Sequence, residues 1–178
     1  MPEVPLSLVL SAASFAAERH QKQRRKGVDA VPYINHPLGV GGVLARDAGV
    51  DDPVTLAAAL LHDTIEDTGT TAAEIAALFG DEVAAVVLEV TDDKSLPSSV
   101  RKQKQIEHAS TISTRAKLVK LADKLCNVRD LRRSPPVDWP AERVSGYFDW
   151  AKKVVDQMRG TSPALDKLLD EELGKRGG

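Results

Sequence analysis

Residues 55–67 read TLAAALLHDTIED: after Thr55 comes an unbroken apolar run, then His62, Asp63, Glu66 and Asp67 crowd into six positions. A helix that is apolar nearly all round has to be buried on every side. Other elements must therefore enclose it, and the chain needs a central rod wrapped by neighbours. Charge placed against an apolar wall is costly unless it is paired, and a like-charged cluster at the end of such a rod calls for a cation. The segment sets two expectations: a helical interior with this rod at its centre, and a charged site at the rod's end.

The rest of the chain can supply the neighbours. Apolar positions recur at three- and four-residue spacing, aromatic residues make up only 4%, and strand signals are weak throughout. Start and stop signals predict a first helix over 6–20, with Leu6, Val9, Leu10, Ala13 and Ala17 on its apolar stripe. A second begins at His36-Pro37, where proline's missing N–H costs nothing. The DDP at 51–53 starts a third, which carries His62, Asp63, Glu66 and Asp67. Thr71 and Glu74 match a capping box for a short helix ending at Gly80. Further helices are expected over 82–91, in the polar and exposed PSSVRKQKQIEH, and over 140–158 and 163–173. STRAKLVKLADKLCNVRDL supplies a long one, with Leu118, Leu121, Ala122, Leu125 and Val128 on one stripe. With no repeat and no low-complexity linker, the expected class is all-α: a single-domain multi-helix bundle over 1–178, its core about 6–173.

Bulk properties narrow the function. A chain of 178 residues can bury roughly 70% of its unfolded surface, enough for a core without disulfides. Its 24 basic and 26 acidic residues leave a net charge of −2, which argues against a general nucleic-acid or membrane-surface binder. The apolar start LSLVLSAASFAA lacks a preceding basic residue and has Glu3 where a signal peptide is positive. No apolar run reaches the ~20 residues of a membrane span. The single cysteine, Cys126, reads as a buried, inert thiol in a reducing, cytoplasmic setting.

His62 and Glu66 are four apart, as are Asp63 and Asp67, so each pair shares a helical face. Two adjacent ligands rarely complete a metal site, but His36 and Asp123 offer further donors. Plainer readings exist for each residue alone: a histidine capping carbonyls, acidic residues before a turn, and Asp123 paired with Lys120 or Lys124. The basic KQRRK at 22–26 reads by itself as a solvated loop. His20 and His108 fit no ligand position and are expected at the surface.

Taken together, His36, His62-Asp63 and Asp123 resemble the pattern of HD-domain metal-dependent phosphohydrolases. Five blocks extend the likeness: RRKGVDAVPYINHP, AALLHDTIEDTGTT, FGDEVAAVVLEVTDDKSLP, AKLVKLADKLCNVRDL and RVSGYFDWAKKVV. They are similar, in the same order over about 8–175, to the hydrolase domain of the Rel/SpoT family, above all to stand-alone small alarmone hydrolases of the animal SpoT-homologue type. The resemblance implies one divalent cation, typically Mn²⁺, held by His36, His62, Asp63 and Asp123. It assigns Glu66 and Asp67 to the attacking water, and Arg25, Lys26, Tyr33, Asn127, Arg143 and Tyr147 to the substrate. Relatives carry a lysine where this chain has Ser98, which leaves Lys94 or Arg101 to replace the charge.

The activity implied is hydrolysis of ppGpp or pppGpp at the 3′-pyrophosphate, giving GDP or GTP and pyrophosphate, without synthetase activity. Alternatives are removal of the 2′-phosphate of NADPH in the same site, or a non-catalytic nucleotide-sensing module. Nucleic-acid binding through KQRRK is the weakest, since it leaves the acidic cluster unexplained. The oligomeric state is open, a homodimer being one option.

Overall fold

The computed structural model describes residues 5–175. Among the described residues ten helices follow one another: α1 (Pro5–Arg19), α2 (Asn35–Arg46), α3 (Pro53–Leu61), α4 (Thr64–Asp67), α5 (Ala72–Phe79), α6 (Asp81–Val90), α7 (Ser98–His108), α8 (Thr114–Arg133), α9 (Ala141–Asp156) and α10 (Pro163–Gly174). Among the described residues there is no strand, only two isolated bridges, Arg24–Pro32 and Gly27–Pro136. The all-α expectation holds, and most boundaries fall within a residue or two of those read from the sequence. None of these helices is long and apolar enough to cross a membrane.

The rod at the centre is α3. Asp52 caps it by accepting from the Thr55 N–H at 3.1 Å, and Pro53 opens its first turn. Ala57, Ala58, Ala59, Leu60 and Leu61 are all buried, and α1, α2, α6 and α8 pack around them. The long α8 crosses next to it, with Leu121, Ala122, Leu125 and Val128 buried and Leu118 half-buried, which matches the expected stripe. At α5, Thr71 accepts from the Glu74 N–H, but the Glu74 carboxylate turns away to Arg19, so only half of the expected capping box forms. The polar α7 buries none of its residues, as expected.

Three expectations need correction. First, α1 does not bury the stripe through Leu6, Leu10 and Ala17; those residues are exposed. Ala12 and Ala16 face inward instead, because a small-residue stripe brings α1 closest to the alanine-rich α3. Second, the third helix does not run on through Asp67. It stops at Leu61, and a one-turn α4 follows after a corner at His62-Asp63. The His62 ring Nδ1–H donates to Ala59 O at 2.7 Å and the Thr64 hydroxyl to Leu61 O at 2.7 Å. These side chains take the carbonyls that a continuing helix would have used. Third, His20 is not a surface residue: it is 1% exposed, whereas His108 is exposed as expected.

Candidate active site

The corner between α3 and α4 decides where the charged residues go. With Nδ1 spent on Ala59, the His62 ring is fixed and its Nε2 lone pair points away from the helix. From the start of α2, His36 brings its Nε2 to the same place, the two rings lying edge to face at 5.2 Å. Asp123 arrives from α8, with Oδ1 3.0 Å from His36 Nε2 and 3.6 Å from His62 Nε2. Asp63 Oδ2 lies 3.0 Å from His62 Nε2 and 3.7 Å from His36 Nε2. Both histidines are buried.

This arrangement fits a metal ion. The donor atoms of His36, His62 and Asp123 lie within 4.8 Å of one another. Ligands ~2.1 Å from one ion stand about 3.0–3.5 Å apart, close to the separations found here. Among the described residues His62 Nε2 is buried without a hydrogen-bond partner, being near Asp63 but not aligned with it. An orphaned ring nitrogen between two carboxylates is what a cation would satisfy. Two imidazoles and two carboxylates suit a first-row divalent ion without selecting one.

The electrostatics agree. Burial disfavours a charged His62, but Asp63 and Asp123 outweigh it and hold the ring well above its usual value. Burial likewise works against the Asp63 and Asp123 charges; His62 overrides it at Asp63 and Lys124 at Asp123, and both carboxyls end far below the usual range. Without an ion His62 keeps a proton, and metal binding has to displace it. Lys124, buried, pairs with Asp123 Oδ2 at 3.0 Å and leaves Oδ1 facing the imidazoles and the Asn127 amide. The Tyr33 hydroxyl donates to Asp63 Oδ2 at 2.6 Å; burial and then Asp63 push its ionisation well up, so it stays a donor. Supporting contacts of this kind orient ligands.

Glu66 and Asp67 sit beside the cluster on α4. The Asp92 N–H donates to Glu66 Oε1 at 2.8 Å. Burial, reinforced by Asp63, Asp92 and Asp67, pushes the Glu66 carboxyl up to about 7 despite that bond. Asp67 accepts from Gln23 Nε2 at 3.1 Å and pairs with Lys94 through its other oxygen.

A cavity of about 340 Å³ reaches from His36, His62, Asp63 and Asp123 to Glu66 and Asp67. Beside it opens a larger one of about 960 Å³ with Arg24, Arg25, Lys26, Lys94, Arg101 and Arg133 on its walls, which share Lys26, Tyr33, Asn127 and Tyr147 with the first. The loop bearing Arg25 and Lys26 is pinned where Gly27 meets α8's end: a Cβ there would stand 2.6 Å from the Ser134 carbonyl, so only glycine fits. Arg25 donates to Asn127 Oδ1 at 2.8 Å and to Asp130 at 3.0 Å, and Asn127 Nδ2 to Asp123 Oδ1 at 2.7 Å. Tyr147 stands 6.1 Å from Trp139, ring to ring. Arg143 lies outside both cavities, exposed and stacked 4.2 Å over Trp139, and would have to leave that ring to reach them. Ser98 is exposed at the first residue of α7, while Lys94 and Arg101 both reach the larger cavity.

A family model for the HD domain matches residues 12–144. The chain belongs to the HD-domain family. This HD-domain chain is 53% identical over 171 residues, 96% of each chain, to the guanosine-3′,5′-bis(diphosphate) 3′-pyrophosphohydrolase MESH1 of Xenopus tropicalis. It is 52% identical over 169 residues to the Homo sapiens protein of that name, covering 95% of this chain and 94% of the other. A solved structure of a metazoan orthologue of SpoT, described as hydrolysing ppGpp and playing a role in starvation responses, superposes with a TM-score of 0.94 at 47% identity over 96% of each chain. The Rel/SpoT resemblance read from the five blocks stands.

Several HD-domain site contacts carried no signal in the sequence. The Asp92 N–H on Glu66 is a backbone donor, which any residue could supply. Gln23 and His20 left a trace only in their three-residue spacing, and Trp139 none. By contrast, the pairing of Lys124 with Asp123 was legible as the plain reading of Asp123, and it is present.

Proposed function

We propose that the chain is a guanosine-3′,5′-bis(diphosphate) 3′-pyrophosphohydrolase that takes ppGpp, and pppGpp with it, in the cytoplasm, its whole length serving as one hydrolase domain. The observation that carries the proposal is the convergence of His36, His62 and Asp123, with Asp63 beside both imidazoles, in a cavity next to a larger one lined by Arg24, Arg25, Lys26, Lys94, Arg101 and Arg133. A donor set of that kind suits a cation, and the walls suit a polyanionic nucleotide. The names of relatives that share half of its residues supply the substrate.

Held by these four residues, a divalent ion, which we take to be Mn²⁺, would polarise a phosphoryl oxygen and acidify nearby water. The chain's own groups do the rest. Arg25 and Lys26 hold the phosphates, arginine by its flat fork and lysine as a point charge. Asn127 and Tyr147 face the nucleotide from α8 and α9, and Tyr33 keeps Asp63 in place. With its carboxyl near 7, Glu66 is matched to taking a proton from water at neutral pH. Asp67 orients that water. Oxygen adds to the phosphorus bonded to ribose O3′, the O3′–P bond breaks, O3′ gains a proton, and GDP and pyrophosphate leave.

The test compares pyrophosphate release from ppGpp and pppGpp with phosphate release from NADPH, each with Mn²⁺, Mg²⁺, Zn²⁺ or chelator. Metal-dependent pyrophosphate release, fastest with Mn²⁺, is expected. Faster turnover of NADPH would change the substrate, and tight ppGpp binding without turnover in any metal would favour the sensing module.

A further inference from the structure

We infer that Gln23, held by His20, is a positioning residue that sets the Asp67 carboxylate for the reaction; this rests on the proposed hydrolase activity. Gln23 lies just past α1, in the segment that leads to Arg25, and its side chain reaches the wall of the larger cavity. The amide orientation follows by elimination. Gln23 stands 3.1 Å from Asp67 Oδ2, and a carboxylate can only accept, so the amide NH₂ must face it. Its carbonyl oxygen then faces His20 Nδ1 at 2.7 Å, and because that oxygen can only accept, Nδ1 carries the proton. In that tautomer His20 Nε2 is a bare lone pair, buried and without a partner among the described residues. An unsatisfied buried nitrogen costs stability. A histidine chosen only to fill space would not need it, whereas one chosen to present Nδ1–H to Gln23 does.

The backbone is as constrained as the side chains. The Gln23 N–H donates to His20 O at 2.9 Å, and the Gln23 carbonyl accepts from the Tyr33 N–H at 3.0 Å. Tyr33 packs its ring on His20 at 4.9 Å and holds Asp63 through its hydroxyl. One short segment thus fixes two carboxylates of the α3–α4 corner, Asp63 through Tyr33 and Asp67 through Gln23. The other hold on Asp67 is Lys94, whose side chain is 50% exposed and free to turn toward an arriving phosphate. Once Lys94 turns, Gln23 is what keeps Asp67 aimed.

The experiment measures kcat and KM for ppGpp with Mn²⁺, bound metal and thermal midpoint for the parent, Gln23→Met, Gln23→Glu, His20→Leu and His20→Asn. Methionine keeps the volume of glutamine without its donor, and asparagine keeps an N–H close to where His20 Nδ1–H stood. Gln23→Met and His20→Leu should lower kcat about tenfold, the scale of one hydrogen bond to a charged group, with KM within about twofold and metal content unchanged. Gln23→Glu, which sets two carboxylates face to face, should lose more. His20→Asn should recover most of the loss seen in His20→Leu at whatever thermal midpoint it has. Kcat of Gln23→Met within about twofold of the parent, or His20→Asn no better than His20→Leu, overturns the inference and leaves the hydrolase reading standing. A parent that releases no pyrophosphate overturns both.

Discussion

Replacing Glu66 by glutamine should stabilise the metal-free protein while it removes turnover. In the folded chain the Glu66 carboxyl is raised from 4.5 to about 7, first by burial and then by Asp63, Asp92 and Asp67. At 1.36 kcal/mol per unit that rise is a cost of about 3 kcal/mol as an upper bound, and about 2 once its partial exposure to water is allowed for. The sign follows from proton binding. The folded state holds this proton more tightly than the unfolded chain, so nothing is lost near pH 4, the cost grows through about pH 7, and it is complete by about pH 8. Glutamine never charges, and its oxygen can still accept from the Asp92 N–H. Glu66→Gln should therefore melt about 4–8 °C above the parent near pH 8, at 2–4 °C per kcal/mol for a chain of this length, and level with it near pH 4. Thermal unfolding in chelator at the two pH values reads this directly. Equal midpoints near pH 8, or a difference that persists near pH 4, would refute the assignment of a strained carboxylate at 66.

Two further substitutions separate binding from chemistry. Glu66→Ala with Asp67→Ala should keep bound metal and nucleotide affinity while turnover falls at least ~100-fold; a double variant at the parental rate would remove the pair from the mechanism. Arg25→Ala gives up its bonds to Asn127 and Asp130 and should raise KM for ppGpp about tenfold with kcat nearly unchanged. An unchanged KM would return Arg25 to a structural role in its loop.

The interior was readable because α3 is apolar on every side, and a helix of that kind has one place to go. The face of α1 was not, since alanine counts weakly in a periodicity although it packs closely: Ala12 and Ala16 went inward and Leu6 and Leu10 outward. The corner at His62-Asp63 depends on two side chains taking carbonyls from the helix, a competition that spacing does not reveal. At Asp123 the plain reading and the functional one are both present, because one oxygen pairs with Lys124 and the other faces the imidazoles. His20 was misplaced because polarity was taken for exposure; Gln23, three residues on, supplies the hydrogen bond that lets the ring be buried. Residues at 36, 62, 63 and 123 could be grouped only by their likeness to a family, as no local rule joins positions so far apart.

The central claim is that side chains from α2, the α3–α4 corner and α8 hold one divalent ion on which cleavage of the 3′-pyrophosphate depends. Titrating Mn²⁺ into chelated protein while pyrophosphate release from ppGpp is followed tests it most directly. Release should start from zero, rise with added ion and saturate at one ion per chain, with GDP formed in equal amount. Pyrophosphate released at full rate by the metal-free protein would contradict it.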